Sequence, residues 1–87
     1  MTTEPLRIVH VARQVVWKGD RAYPKVVLTD SRGLRHSALD RHGRLARLAD
    51  RLCRDGAAVD LQAEVTRFGS EIRSLARAPE PLEGGDA

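Results

Sequence analysis

Three side chains in this sequence carry aromatic rings: Trp17, Tyr23 and Phe68. Each stands close to a base. Trp17 and Tyr23 flank a short turn in VVWKGDRAYPK, among Lys18, Arg21 and Lys25, and Phe68 follows Arg67. A ring offers a flat apolar face, and a neighbouring Arg or Lys offers positive charge. The combination suits a flat ligand that carries negative charge. Stacking contributes about 1–3 kcal/mol per flat ring, and the cation tracks the ligand's anionic groups.

Other chemistries find less to use. Cys53 is the only cysteine, which excludes an internal disulfide and a cysteine-cluster zinc site. His10, His36 and His42 show no ligand spacing, so neither a metal nor a cofactor is expected. Ser, His and Asp are present, but no spacing in the sequence assembles a nucleophile with a base and an orienting group. No Gly-rich phosphate loop or carboxylate pair stands out, and the chain is not expected to be an enzyme.

The charge points the same way as the rings. The formal net charge is +3, but three of the 12 acids, Glu80, Glu83 and Asp86, lie in the last nine residues with no base among them. Residues 1–78 therefore hold 15 bases against nine acids, a net +6. A small basic body attracts polyanions. Hydrophobic residues at 41% and charged residues at 31% are an ordinary globular balance, and 87 residues suit one domain with one small core. With only three aromatics that core must rest on Val, Leu, Ile and Ala. No run approaches 18 apolar residues, so no membrane span is expected. The opening MTTEPLRIVHVARQ lacks a basic stretch followed by an apolar one and does not read as a signal peptide, so a cytoplasmic location is expected.

Short strands must position the rings. RIVHVARQVVW alternates on both sides of Arg13, which predicts a long strand with a bulge or bend near Ala12 to Gln14. KGDR supplies turn residues. AYPKVVLTD reads as a second strand, with Val26 and Leu28 on one face and Tyr23, Lys25 and Val27 on the other. Pro24 lacks a donor, so it must sit near the strand's start or on an edge. Asp30-Ser31-Arg32-Gly33 is a tight reversal, and LRHSAL a third strand. Asp40 reads as an N-cap, Leu45, Leu48, Ala49, Leu52 and Cys53 follow at helical spacing, and Gly56 ends the helix. Arg44, Arg47, Arg51 and Arg54 fall within about 80° of arc away from the leucines and read as a solvated face. AVDLQAEVTRF alternates as a fourth strand with Val59, Leu61, Ala63 and Val65 inward and Phe68 outward. Gly69-Ser70 then predicts a hairpin turn, and EIRSLAR a fifth strand.

In this order of elements the chain resembles the OB-fold superfamily, whose members are five-stranded Greek-key barrels with one helix between strands three and four. Arg7 to Trp17 looks like the long first strand. KVVLTDSRGLRHSAL looks like strands two and three, and VDLQAEVTRFGSEIRSLAR like the closing hairpin. The likeness covers residues 6–77, with a flexible arm expected over 1–5 and an acidic disordered tail over 78–87. An SH3-like barrel also has five short strands, but the amphipathic segment between the third and fourth disfavours it, and a two-layer sheet with a helix across it is a further alternative. The resemblance implies a single-stranded DNA or RNA ligand on the face of strands two and three, closed over by the first–second and fourth–fifth loops. It places Trp17, Lys18 and Arg21 at the first loop, Tyr23 and Lys25 on strand two, Arg35 on strand three, and Arg67 and Phe68 at the last turn. The alternative function is a protein-interaction or homo-oligomerisation module of a larger assembly, without nucleic-acid contact.

Overall fold

A computed structural model describes residues 5–79 of the chain. The N-terminal arm and acidic tail expected from the sequence lie outside the described residues, except for Pro5, Ala78 and Pro79. The elements run β1 (Ile8–Lys18), β2 (Arg21–Asp30), β3 (Arg35–Leu39), α1 (Arg44–Asp55), β4 (Val59–Thr66) and β5 (Gly69–Arg77). The protein is mainly β: one five-stranded mixed sheet of order β1-β2-β3-β5-β4, with its single described helix between β3 and β4. All neighbours pair antiparallel except β3 and β5, which run parallel through Ser37 and Glu71.

The bulge expected near Ala12 to Gln14 lies instead at Val9, where the β1–β2 register steps from Ile8–Asp30 to His10–Thr29. From His10 to Lys18 the pairing is unbroken. Arg13 caused the misreading, because it interrupts an apolar phase. Its guanidinium reaches across and donates to Asp50 Oδ2 on α1 at 2.6 Å, so the strand needs no slip to accommodate a charge there. Val11, Arg13, Val15 and Trp17 thus share the face of Val26 and Leu28. Ala12, Gln14, Val16 and Lys18 share the opposite face with Arg21, Tyr23 and Lys25.

Pro24 sits inside β2, opposite Val15. Its carbonyl accepts from the Asp40 amide at 2.9 Å, on the β3 side. A strand residue's N and C=O point to the same edge. The missing N–H therefore faces the edge where β3 has already ended, opposite Lys25. Beyond that point β1 and β2 continue as a two-stranded arm.

In β4 the burial expected from the inward phase of all four apolar residues holds only at its start. Val59 is buried and Leu61 half-buried, but Ala63 is exposed and Val65 is 85% exposed. The phase itself continues, since Ala63 lies opposite the buried Ile72; β4 ends the strand order and its far end is left uncovered, while a register shift between Gln62 and Ala63 leaves Arg73 of β5 unpaired. The same shift lets Ile72 and Leu75, three residues apart on β5, both face the core.

The core is built without a ring. Ile8, Val26, Leu28, Val59, Ile72 and Leu75 of the sheet close on Ala46, Ala49 and Leu52 of α1. Gly56 (φ 62°) ends the helix in the left-handed region, and its amide and that of Ala57 return to Cys53 and Leu52 carbonyls. At the helix start Asp40 acts from further upstream than expected. Gly43 immediately precedes Arg44 and offers no side chain, so the buried Asp40 carboxylate reaches over it to accept from the Leu45 amide (3.0 Å) and the Ala46 amide (2.9 Å). The sheet's two edge strands meet at their starts. Arg7 bridges Ala58, and the Val59 amide donates to the Leu6 carbonyl at 2.8 Å. Among the described residues no helix is long and apolar enough to cross a membrane.

Asp40→Ala removes both acceptors from a helix start that has no other side-chain cap. It is expected to cost about 1–2 kcal/mol, read as a lower urea midpoint at unchanged slope. An unchanged midpoint would show that the cap contributes nothing.

Candidate nucleic-acid interface

On the outer face of β2 and β3, away from α1, lies a cleft of about 380 Å³. Three segments build it. The β1–β2 arm contributes Val16, Lys18 and Lys25, β3 contributes Ser37 and Leu39, and the β4–β5 turn contributes Thr66, Phe68, Ser70 and Glu71. The walls are mostly apolar, with two lysines on one side. Glu71 is the one acid of the lining, and the Arg73 guanidinium lies 3.3 Å from it. A hollow of about 180 Å³, lined by Tyr23, Pro24, Leu39 and Arg41, adjoins it through Leu39.

The structure brings together most of the residues proposed from sequence, but not all. Lys18, Arg21, Tyr23 and Lys25 share the outer face by register, and so does Arg35, opposite Thr29. Tyr23 is half-buried, with the Lys18 ammonium 6.0 Å from its ring centre. Phe68 is 85% exposed and carries the Arg67 guanidinium 5.1 Å from its ring centre. Its exposure has a different origin from the one expected. The two-residue hairpin turn is Arg67–Phe68, not Gly69–Ser70, because Thr66 pairs with Gly69. Thr66 Oγ1 accepts from the Phe68 amide (3.1 Å) and donates to the Gly69 carbonyl (3.0 Å), fixing the turn that presents the ring. Trp17 is also exposed, at 68%, but lies on the other face of the arm with Val15, opposite Ala22. It does not join the cleft.

Ser70 of the cleft lining also belongs to a buried polar cluster, on the core side of the sheet, that sequence spacing hides. Asp30, fully buried at the end of β2, accepts four hydrogen bonds. The Arg32 and Leu34 amides reach Oδ1 at 2.9 and 3.1 Å, and Arg32 Nη2 and His36 Nε2 reach Oδ2 at 2.9 and 2.7 Å. An ionised carboxylate only accepts, so Nε2 carries the His36 proton. In the neutral ring Nδ1 then accepts from the Ser70 hydroxyl, 2.7 Å away. Burial would raise the Asp30 pKa, but the hydrogen bonds from His36, Arg32 and the backbone outweigh it and hold the carboxyl at about 2, below 3.8. Residues 30, 36 and 70 meet because β3 and β5 pair in parallel. The one sequence signal was His36 itself, on the inward phase of Ala38, where a buried polar ring requires partners.

Asp, His and Ser in this order are the parts of an activated nucleophile. The same hydrogen bonds tether the β2–β3 turn, β3 and β5 to one another.

No protein-family model matches the chain, and no curated protein matches it.

The depressed Asp30 pKa sets a pH dependence. The unfolded carboxyl titrates near 3.8 and the folded one near 2. The stabilisation is therefore present above 3.8 and is lost as pH falls through about 2. The carboxylate lies under an exposed turn, and discounting for solvent screening leaves about 1–2 kcal/mol. Urea midpoints from pH 5 to pH 2 should fall more steeply for the wild type than for Asp30→Asn. Parallel curves would remove Asp30 from this role.

Proposed function

We propose that the chain is an OB-like Greek-key barrel that binds single-stranded nucleic acid, DNA or RNA, across the outer face of β2 and β3. Strand order β1-β2-β3-β5-β4, the parallel β3–β5 pair, α1 between β3 and β4, and the Arg7–Ala58 bridge between edge strands all support the barrel reading. The observation that carries the function is the cleft itself. Lys18 and Lys25 approach it from one side and the exposed Phe68 from the other, on a body with a net +6 over residues 1–78.

The division of labour follows from the side chains. Phe68 supplies a stacking face, with Arg67 beside it to meet a phosphate. Lys18 and Lys25 neutralise the backbone along the cleft, with Arg21 and Arg35 extending the charge to either end. Tyr23 offers a second ring across Leu39. Nothing in this set reads a base edge with fixed donors, so recognition rests on charge and stacking and tolerates sequence. We assign no catalytic step to Ser70.

A second reading has one observation in its favour. Val15, Trp17, Ala22 and Pro24 form an exposed apolar face on the other side of the β1–β2 arm, which suits a protein partner better than a phosphate backbone.

Fluorescence anisotropy with a labelled single strand tests the first reading. Phe68→Ala is expected to weaken binding about 5- to 150-fold with stability unchanged within about 0.5 kcal/mol. Lys25→Gln should lower the salt slope by about 0.7. Wild-type protein that ignores the strand at low salt, or binds it equally well without Phe68, would favour the protein-interaction reading.

A further inference from the structure

The side of α1 turned from the core carries Arg44, Arg47, Arg51 and Arg54, all exposed. At 100° and 1.5 Å per residue they form a stripe about 80° wide and about 15 Å long. The helix's two carboxylates, Asp50 and Asp55, stand at the margins of this stripe, and each is taken by an arginine from the sheet. Asp50 accepts from Arg13 and Asp55 from Arg77, both at 2.6 Å. Among the described residues none of the four stripe arginines has an ion-pair partner. Their one side-chain hydrogen bond runs from Arg47 to the His42 carbonyl at 3.4 Å. Like charges three and four residues apart repel and weaken a helix, and a face that served only solubility would mix both signs. Here the sheet removes the acids and leaves the cations uncompensated.

We propose that this stripe is a second phosphate-contact surface and that it takes the backbone of a DNA duplex. α1 packs against the inner face of the sheet and the cleft opens on the outer face, so the two surfaces do not compete. The helix carries no ring, so a single strand would gain nothing from its bases there. A duplex needs no stacking partner. It presents one phosphate charge per about 3.4 Å along each strand of a stiff rod, so a straight stripe of about 15 Å faces about four charges of one strand. Guanidinium forks match phosphate oxygens two at a time. The inference stands apart from the cleft reading. With both surfaces in use, one chain holds a single strand and an adjoining duplex together, as at a junction.

The test is anisotropy with a labelled blunt duplex of about 20 base pairs, at salt from about 50 to 200 mM. Wild type is compared with R44Q/R47Q/R51Q/R54Q, with the matching four-lysine variant, and with Phe68→Ala. Gln is a good helix former, and circular dichroism checks the fold. The proposal expects the glutamine variant to bind the duplex at least tenfold more weakly at low salt, with a salt slope smaller by about 3–4. The lysine variant should keep the slope, and Phe68→Ala should bind the duplex as wild type does. Wild type that fails to bind the duplex, equal slopes in the wild-type and glutamine proteins, or loss of duplex binding on Phe68→Ala would overturn it. Displacement of the duplex by poly-glutamate at equal charge would also overturn it, in favour of an acidic protein partner. Should the glutamine variant unfold, the half-stripe variants R44Q/R47Q and R51Q/R54Q decide: each should lower the slope by about 2, and slopes equal to wild type in both would overturn the proposal.

Discussion

The Asp30 carboxylate is a polar knot between the β2–β3 turn, β3 and, through His36, β5. It lies fully buried at the end of β2, where an unpartnered charge would be costly. Two amides and a guanidinium from the following turn satisfy it, together with the His36 ring, and His36 passes the link to Ser70 on β5. β3 and β5 pair through one residue couple, Ser37 and Glu71. The Asp30–His36–Ser70 chain adds a side-chain link beside that contact. The cleft has β3 for one wall and the β4–β5 turn for another, and Ser70 belongs both to this tether and to the cleft lining.

The second constraint is what the core leaves out. Nine small aliphatic side chains fill it, and all three aromatics stay outside. Their placements differ for reasons of register and turn geometry. Trp17 has the inward phase of β1 but lies on the two-stranded arm beyond the end of β3, where no layer covers it. Tyr23 has the outward phase and is half covered by its neighbours. Phe68 occupies a turn position, held out by the Thr66 hydroxyl. The ring that best suits stacking is thus exposed because of a turn, while alternation along β4 would have given the same answer for the wrong reason. Charge is arranged with similar economy. Arg13, Arg32, Arg73 and Arg77 each meet a carboxylate. Among the described residues, Lys18 and Lys25 at the cleft and the arginines along α1 meet none.

Much of this was legible in the residues. Element order and most boundaries followed from alternation, from helical spacing and from the turn residues Gly33 and Gly56. The errors cluster where one interaction crosses the sheet or shifts a register. Arg13 looked like a break in β1 because its partner, Asp50, is 37 residues away. Val65 keeps the inward phase it was read with, but it lies at the uncovered end of the last strand in the sheet order, which alternation alone does not show. Gly69 looked like a turn residue because a hairpin glycine usually is one, yet here it is the first residue of β5. The polar tether could not be read from spacing at all, since it exists only once β3 and β5 run side by side. Of the candidate site, the charge and the outward phase of Tyr23 and Lys25 were local properties and were read correctly. Trp17 was placed with them at the first loop, and the unbroken β1–β2 register puts it on the other face of the arm instead.

The most direct test of the cleft as the binding face is an amide-resolved NMR titration with a single strand of about six nucleotides. The account predicts saturable shifts at Lys18, Lys25, Ser37, Leu39 and Thr66 to Glu71, with the amides of Val15 and Trp17 little affected. Shifts centred on Val15, Trp17 and Ala22, or none that saturate, would contradict it.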